Sequence, residues 1–157
     1  MTLPTPTTDL VAPAWVASIP GLTADSVGNV LPADDSTWAH AGFVLVPATV
    51  GGSPWSTGPV RRPVCQVECW ATTPGSSRPP WGKAAQLAEQ IRLATYDRHN
   101  FGRALAISNG GVAFAGARVL GATMLTEPRH VWGDVADYAA YIFDLQLDWI
   151  AAGEVLV

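Results

Sequence analysis

The clearest pattern of hydrophobic and polar positions lies in the stretch Ala-Tyr-Ile-Phe-Asp-Leu-Gln-Leu-Asp-Trp-Ile at residues 140–150. Its odd-numbered positions carry two leucines and three aromatic side chains, whereas two aspartates and a glutamine occupy even-numbered positions. Because successive side chains of a β-strand point to opposite faces of a sheet, this alternation predicts a strand with one buried face. We expect the even-numbered face to meet water or a polar partner.

Two other stretches predict strands. Residues 64–71 alternate in the same way, with Cys65 and Cys69 on one parity. Four residues along a strand span about 13 Å, which is too far for a disulfide, since that bond needs Cα atoms within about 7 Å. We interpret the cysteines as small buried hydrophobic side chains, because no Cys-x-x-Cys spacing or paired histidine suggests a metal site. Gly-Phe-Val-Leu-Val at 42–46 predicts a strand buried on both faces or at an interface.

Helical periodicity is strongest between Gly82 and Tyr96. Apolar or small residues recur there at the i, i+3, i+4, i+7 positions of one helix face, namely Ala84, Leu87, Ala88, Ile91 and Thr95. A shorter helix is predicted from a cap at Thr8 or Asp9 to about Ser18, with Pro13 in or near its first turn. We expect residues 1–7 to form a loose arm before it.

Glycine and proline predict the connections. Residues 51–54 indicate a turn and 55–62 a loop, while Asn109-Gly110-Gly111 is typical of a hairpin turn between 105–107 and 112–114. Residues 117–126 predict a strand bent at Gly121, and 128–137 a loop. This order of elements predicts a single α+β domain over 1–157, in which a largely antiparallel sheet packs against one main helix and a short N-terminal helix.

Composition points to assembly. Of the 157 residues 48% are hydrophobic and only 14% are charged, against a typical 25% or so, and seven are tryptophans. Because obligate interfaces are poor in charge and rich in aromatic residues, we expect much of the surface to be covered by sister subunits or partners. The net charge of −4 argues against wrapping nucleic acid. With no signal-peptide pattern and no apolar run near the roughly 18 residues that span a bilayer, we expect a soluble intracellular protein without membrane contact.

The sequence contains no nucleophile elbow, no phosphate-binding glycine loop and no His-Glu-x-x-His zinc motif. Asp144 and Asp148 are about 13 Å apart on one strand face, beyond glycosidase spacings of about 5–9.5 Å. We interpret them as a solvated pair, and we interpret His40, His99 and His130 as surface or loop residues. Arg61-Arg62 is interpreted as a solvated basic pair, with an inter-subunit or phosphate contact as the alternative.

The order of elements then resembles a known family. The run at 42–46, the Gly51-Gly52 turn, the cysteine strand extended from Pro63, and the Ala-Ala-Gln-Leu-Ala helix at 84–88 occur in sequence, followed by Pro128, Asp134 and the tail at 138–145. This succession resembles the tail terminator proteins of long-tailed (siphovirus-type) bacteriophages. It is similar in particular to those of actinobacteriophages, in which an aromatic-x-Phe-Asp-Leu closing strand recurs. The resemblance covers about residues 40–151 and is a pattern of elements without a catalytic fingerprint.

The resemblance implies a structural virion protein and no enzyme. Tail terminators form a homohexameric ring that caps the tail tube, stops its polymerisation and joins it to the head-completion or neck protein, with no cofactor or metal. The expected partners are therefore sister subunits, the tail tube protein and a neck protein, in a virion assembled in the host cytoplasm. An acidic lumen would let DNA pass without adhering, since carboxylates repel phosphates.

Closing a ring requires two different patches to meet. The candidate inter-subunit or neighbour contacts lie on the strand near 43–46 and on the loops at 55–62 and 128–134, and they are Phe43, Leu45, Trp55, Arg61, Arg62, Arg129, His130 and Trp132. Three alternatives stay open: another neck protein such as a head–tail stopper, a small intracellular enzyme, and a host binding module. An enzyme would need a pocket in which His99, His130 or an aspartate meets a nucleophile.

Overall fold

The computed structural model describes residues 2–47, 49–53, 58–131 and 137–154, apart from the side chain of Ser53. Two helices lie in this part of the chain, α1 (Thr8–Ala17) and α2 (Trp81–Ala94). The strands in chain order are β1 (Val27–Gly28), β2 (Phe43–Leu45), β3 (Thr49–Ser53), β4 (Arg62–Thr72), β5 (Ser108–Asn109), β6 (Val112–Ala113), β7 (Ala117–Met124), β8 (Arg129–His130) and β9 (Tyr138–Ala151).

The main sheet has the strand order β1-β2-β4-β9-β7, with β3 also paired to β4 and β8 also paired to β9. Every pairing in it is antiparallel except that of β1 with β2. The predicted α+β fold, with a largely antiparallel sheet, a main helix and a short N-terminal helix, is therefore confirmed. The alternating segment at 140–150 forms the central strand β9.

The core lies on one side of this sheet, where both helices pack. Phe143, Leu145, Leu147 and Trp149 of β9 are completely buried there. They share one cluster with the cysteine side of β4, and with Leu87, Ala88 and Ile91 of α2 and Val11 and Trp15 of α1. The burial of these three α2 residues confirms the predicted apolar face of the main helix. The small alanine side chains on this face let the helix approach the sheet closely.

Helix α1 begins and continues differently from the prediction. Its N-cap is Thr7, and Pro13 lies inside the helix. Proline has no N–H to give to the carbonyl four residues earlier, which here belongs to Asp9. The side chain of Asn29, the residue after β1, donates to that carbonyl at 2.8 Å. This contact replaces the hydrogen bond that the proline removes.

Two predicted connections contain strands instead. The glycine-rich segment at 51–54 was predicted to be a turn, but Thr49–Ser53 forms β3 beside β4. Gly52 has φ +91°, and a Cβ there would stand 2.2 Å from the carbonyl oxygen of Arg62, so glycine is needed for this close pairing. In the segment predicted as the loop 128–137, Arg129–His130 pairs with β9.

The hairpin turn and the bend in β7 agree with the prediction, although the first strand of the hairpin is Ser108–Asn109 and not the predicted 105–107. Gly110 and Gly111 both have positive φ, as a two-residue hairpin turn requires, and they join β5 to β6. The pairing register of β7 shifts between Val119 and Gly121, where the bend was predicted. In the N-terminal arm, the carbonyl of Pro4 accepts a hydrogen bond from the amide of Ala115 at 2.8 Å.

Candidate interaction surfaces

The face of the sheet opposite the helices is the first candidate surface. Its middle carries partly exposed side chains from alternate positions of β4 and β9, which we call the open face: Gln66, Glu68, Ile142, Asp144, Gln146 and Asp148. Strand alternation places them there, since their neighbours in sequence are the buried residues of the core. The even-numbered face of β9, predicted to meet water or a polar partner, is thus partly exposed.

Polar contacts on this face run between neighbouring side chains. Gln66 Nε2 donates to Glu68 Oε1 at 2.7 Å, and the indole N–H of Trp70 donates to the other oxygen of Glu68 at 2.9 Å. Arg62 lies 3.5 Å from Asp148 in an exposed ion pair. The register also places Arg118 opposite Ile150 and Arg129 opposite Ile142. Carboxylates therefore follow the middle of the sheet and arginines its margins, so the charge of this face is mixed.

One end of the same face is closed by aromatic residues. Trp38 is only 2% exposed and contacts the rings of Phe43 and Tyr138, with centroids 6.2 and 5.9 Å apart. The hydroxyl of Tyr138 donates to Asp35 at 2.9 Å, and this bond, which favours the protonated phenol, raises the pKa of Tyr138. Of the predicted contact residues on β2, Phe43 is 4% exposed and packed within the subunit, whereas Leu45 is partly exposed.

The predicted arginine pair separates into two environments. Arg61 is joined to Trp149 by two backbone hydrogen bonds, and its guanidinium lies 4.4 Å from the centroid of that indole. It also pairs with Glu154 at 3.3 Å, and its side chain is only 15% exposed. Arg61 is therefore an internal residue, and the interpretation of a solvated pair applies only to Arg62. Trp55, predicted in the same loop, lies outside the described residues.

The predicted contacts at 129–132 fall on the other margin of the sheet. Arg129 and His130 are exposed on β8. The His130 ring stacks on Trp81 with centroids 4.2 Å apart, and its Nε2 lies 2.8 Å from the hydroxyl of Tyr141. Trp132 lies outside the described residues. No local pattern in the sequence indicates the cluster of Trp81, His130 and Tyr141, because its members come from three distant segments.

A second candidate surface is a cleft of about 470 Å³ between the end of α2 and the chain that follows β7. Two exposed apolar side chains line it, Tyr96 and Leu125. Arg92 donates to Glu89 at 2.6 Å and holds the pKa of that carboxyl below its ordinary value. The cleft therefore combines one exposed ion pair with apolar surface, as interface regions commonly do.

The groups that the sequence suggested for chemistry lie apart from one another. Burial raises the pKa of Cys65 to about 11 and that of Cys69 further, so both are neutral buried thiols. His99 contacts Asp97 at 2.8 Å on an exposed turn, and hydrogen bonds from His99 lower the pKa of Asp97. Within residues 2–47, 49–53, 58–131 and 137–154, no group of three or more His, Cys, Asp or Glu side chains is placed to hold a metal.

Neither α1 nor α2, the two α-helices among the described residues, is long and apolar enough to cross a bilayer.

No protein-family model matches the chain. No curated protein matches it significantly either. Among solved structures, a chain of the virion of a native gene transfer agent particle is 17% identical, with 91% of this chain and 90% of that chain covered and a TM-score of 0.48. A second solved chain is 16% identical over 96% of this chain and 99% of that chain, with a TM-score of 0.35. Neither similarity assigns a role to this chain.

Proposed function

We propose that this chain is a structural virion protein, and specifically a tail terminator that assembles into a hexameric ring at the head-proximal end of a phage tail tube. In this role it acts by shape, without turnover. The ring would stop the tube from growing and would present its outer surface to a neck protein.

The observation that carries the proposal is the one-sided covering of the sheet. Both helices pack on one face, while Glu68, Asp144 and Asp148 on the other remain partly exposed. A two-layer subunit of this kind can be arranged around an axis with its helices outside and its open face inside. The mixed charge of that face, with carboxylates at its middle, would let a polyanion pass with little adhesion.

Exposed apolar side chains on the outer layer supply surface for neighbours. Tyr96 is 74% exposed and Leu125 is about half exposed, and both line the cleft at the end of α2. Isolated exposed apolar residues are ordinary, but a group around a cleft is typical of a protein–protein contact. We assign this cleft to the tail tube protein or the neck protein, and the sheet margins to sister subunits.

The test removes the chain from an otherwise complete phage assembly and measures the tail tubes by electron microscopy. A terminator limits growth, so tubes formed without it should exceed the normal length and fail to join heads, and supplying the chain should restore both. In purified form the chain should give rings by native mass spectrometry. On complete particles, an added tag should place it at the junction of tail and head.

The outcomes separate the terminator from its nearest alternative. A head–tail stopper would leave tube length normal when it is removed, and the tag would lie on the head side of the joint. A chain that stays monomeric at all concentrations and is missing from purified particles would contradict both structural roles.

A further inference from the structure

We infer that the subunits of this ring join edge to edge, with β3 of one copy adding as an antiparallel strand to β7 of the next, so that one continuous sheet lines the ring. The inference rests on the proposed function for the ring itself, and it adds which surfaces of the chain meet. It follows from backbone groups that have no partner among the described residues, from register and from strand direction.

The first open edge is the second half of β7. The amide of Leu125 donates to the carbonyl of Asp144, which fixes the residues of β7 that bond to β9. By the alternation of an antiparallel pair, the N–H and C=O groups of Ala122 and Met124 point away from β9. No described residue pairs with them there, although the first half of this edge is covered by Gly102 and Leu105, which bond to Val119 and Ala117.

The second open edge is β3. Arg61 exchanges both backbone hydrogen bonds with Trp149, so Arg62 and Val64 bond in the opposite direction, towards β3. The backbone of Gly52 therefore points outward, and the neighbouring Val50 is 53% exposed. β3 ends the main sheet on this side, at the level where β7 ends it on the other.

Neither edge is protected by charge or by proline. Natural proteins often keep edge strands apart with lysine, proline or inward charge. Thr-Val-Gly-Gly-Ser at 49–53 and Leu-Gly-Ala-Thr-Met-Leu at 120–125 contain no charged residue and no proline. Two unprotected edges on one chain are a hazard in a monomer, but they are what a head-to-tail assembly needs.

The two edges also match in level and direction. Two rows of paired residues run across the whole sheet, and they are Gly51–Val64–Gln146–Thr123 and Thr49–Cys65–Leu145–Met124. Because β3, β4, β9 and β7 are antiparallel in succession, β3 and β7 run in opposite directions. A neighbour rotated about an axis roughly along the strands keeps its strand directions, so its β3 meets β7 in the antiparallel sense.

This arrangement places the same face of every subunit on the same side of the ring wall. A sheet continued from copy to copy keeps the same face on the same side, so all open faces lie together and all helices lie together. The cleft lined by Met124 and Leu125 then adjoins the junction, so the surface assigned to the tail tube protein or the neck protein lies beside each contact between sister subunits.

The test places a lysine on each edge of the full chain in turn, with Thr123→Lys on β7 and Val50→Lys on β3. Val112→Lys is the matched control, because Val112 is also an exposed strand residue, 52% exposed, but lies in the separate hairpin. By native mass spectrometry, the wild type and V112K should form rings, and each edge variant should fall to a single chain. Circular dichroism checks that all variants stay folded.

Mixing the two edge variants gives the sharpest outcome. Each keeps one intact edge, so an equimolar mixture should form heterodimers of one T123K chain with one V50K chain and nothing larger. Rings in both single variants, or full rings in the mixture, would overturn edge pairing while leaving the proposed function standing. Dimers of V50K alone would indicate β7-to-β7 pairing and would also overturn it. A wild type without rings at any concentration would instead count against the proposed function.

Discussion

The two faces of the central strand β9 show how one alternating segment serves two purposes. On the helix side, Phe143, Leu145 and Leu147 are fully buried against α1, α2 and β4. On the other side, Asp144, Gln146 and Asp148 are only partly buried by their neighbours in the sheet. The helix side of β9 should therefore contribute more to the free energy of unfolding than the open face. Substitutions on the open face remove little buried apolar surface, so they should cost little stability. That face can therefore serve the proposed assembly.

The largest expected effect on stability comes from a substitution on the helix side of the sheet. Phe143→Ala should lower the free energy of unfolding by about 3–5 kcal/mol, because it removes a fully buried ring and leaves a cavity between sheet and helices. Gln146→Ala on the open face should cost less than about 1 kcal/mol. Urea denaturation of both variants measures the difference. Equal losses would mean that the open face is as tightly packed as the helix side.

The aromatic end of the open face should be an exception to this difference in stability between the two faces. Trp38 is 2% exposed and donates its indole N–H to the carbonyl of Pro32. Trp38→Ala should cost about 3 kcal/mol, which is close to the cost of a core substitution, although it lies on the side away from the helices. Val30→Ala, a change at a 78% exposed side chain, is the control and should stay within about 0.5 kcal/mol. A small loss of stability for Trp38→Ala would mean that this end of the face is also exposed to solvent.

The two buried cysteines can be used to test how well water is excluded from the side of the sheet that the helices cover. The pKa of Cys65 is raised by burial to about 11 from its ordinary 9.0, so the unfolded chain loses this proton first as the pH rises. The stabilising contribution is fully present below pH 9 and is lost towards pH 11, by about 2 kcal/mol on the scale of 1.36 kcal/mol per pKa unit. Cys69 should act in the same direction.

The measurement compares the free energy of unfolding between pH 8.5 and 11 in the wild type and in a Cys65→Ala/Cys69→Ala variant. The wild type should lose more stability across this range than the variant, in which the thiols are gone. In the native wild type at pH 8, both thiols should react slowly with an aromatic disulfide reagent. Rapid modification without unfolding would contradict the buried, neutral state.

The sequence predicted the parts of the fold whose signal is local. β9, β4 and α2 each carry a regular period over eight or more residues, and a period of that length overrides other tendencies. Segments that depend on distant partners were missed. Trp38 stands among small and polar residues, and it is buried by Phe43 and by Tyr138, which comes a hundred positions later. β3 was missed because Gly51 and Gly52 indicate a turn, while here glycine permits close pairing with β4.

The candidate contacts were harder to predict, for the same physical reason. Adjacent residues such as Arg61 and Arg62 look alike in sequence, yet strand alternation sends one towards Trp149 and Glu154 and the other towards the open face. Phe43 reads as an exposed interface residue until the segment carrying Trp38 is placed over it. The composition predicts interfaces but not their residues, and the position of each candidate residue depends on the register.

The smallest expected effect belongs to the ion pair on the open face. Arg62 and Asp148 approach to 3.5 Å, with 52% and 38% of their side chains exposed. Exposed pairs of this kind couple by about 0.2–1 kcal/mol, because water and salt screen them. A double-mutant cycle with Arg62→Ala and Asp148→Ala should give a coupling in that range, shrinking at about 1 M salt. A salt-insensitive coupling above about 2 kcal/mol would mean that the pair is shielded from solvent, and the open face would then be covered within the subunit itself.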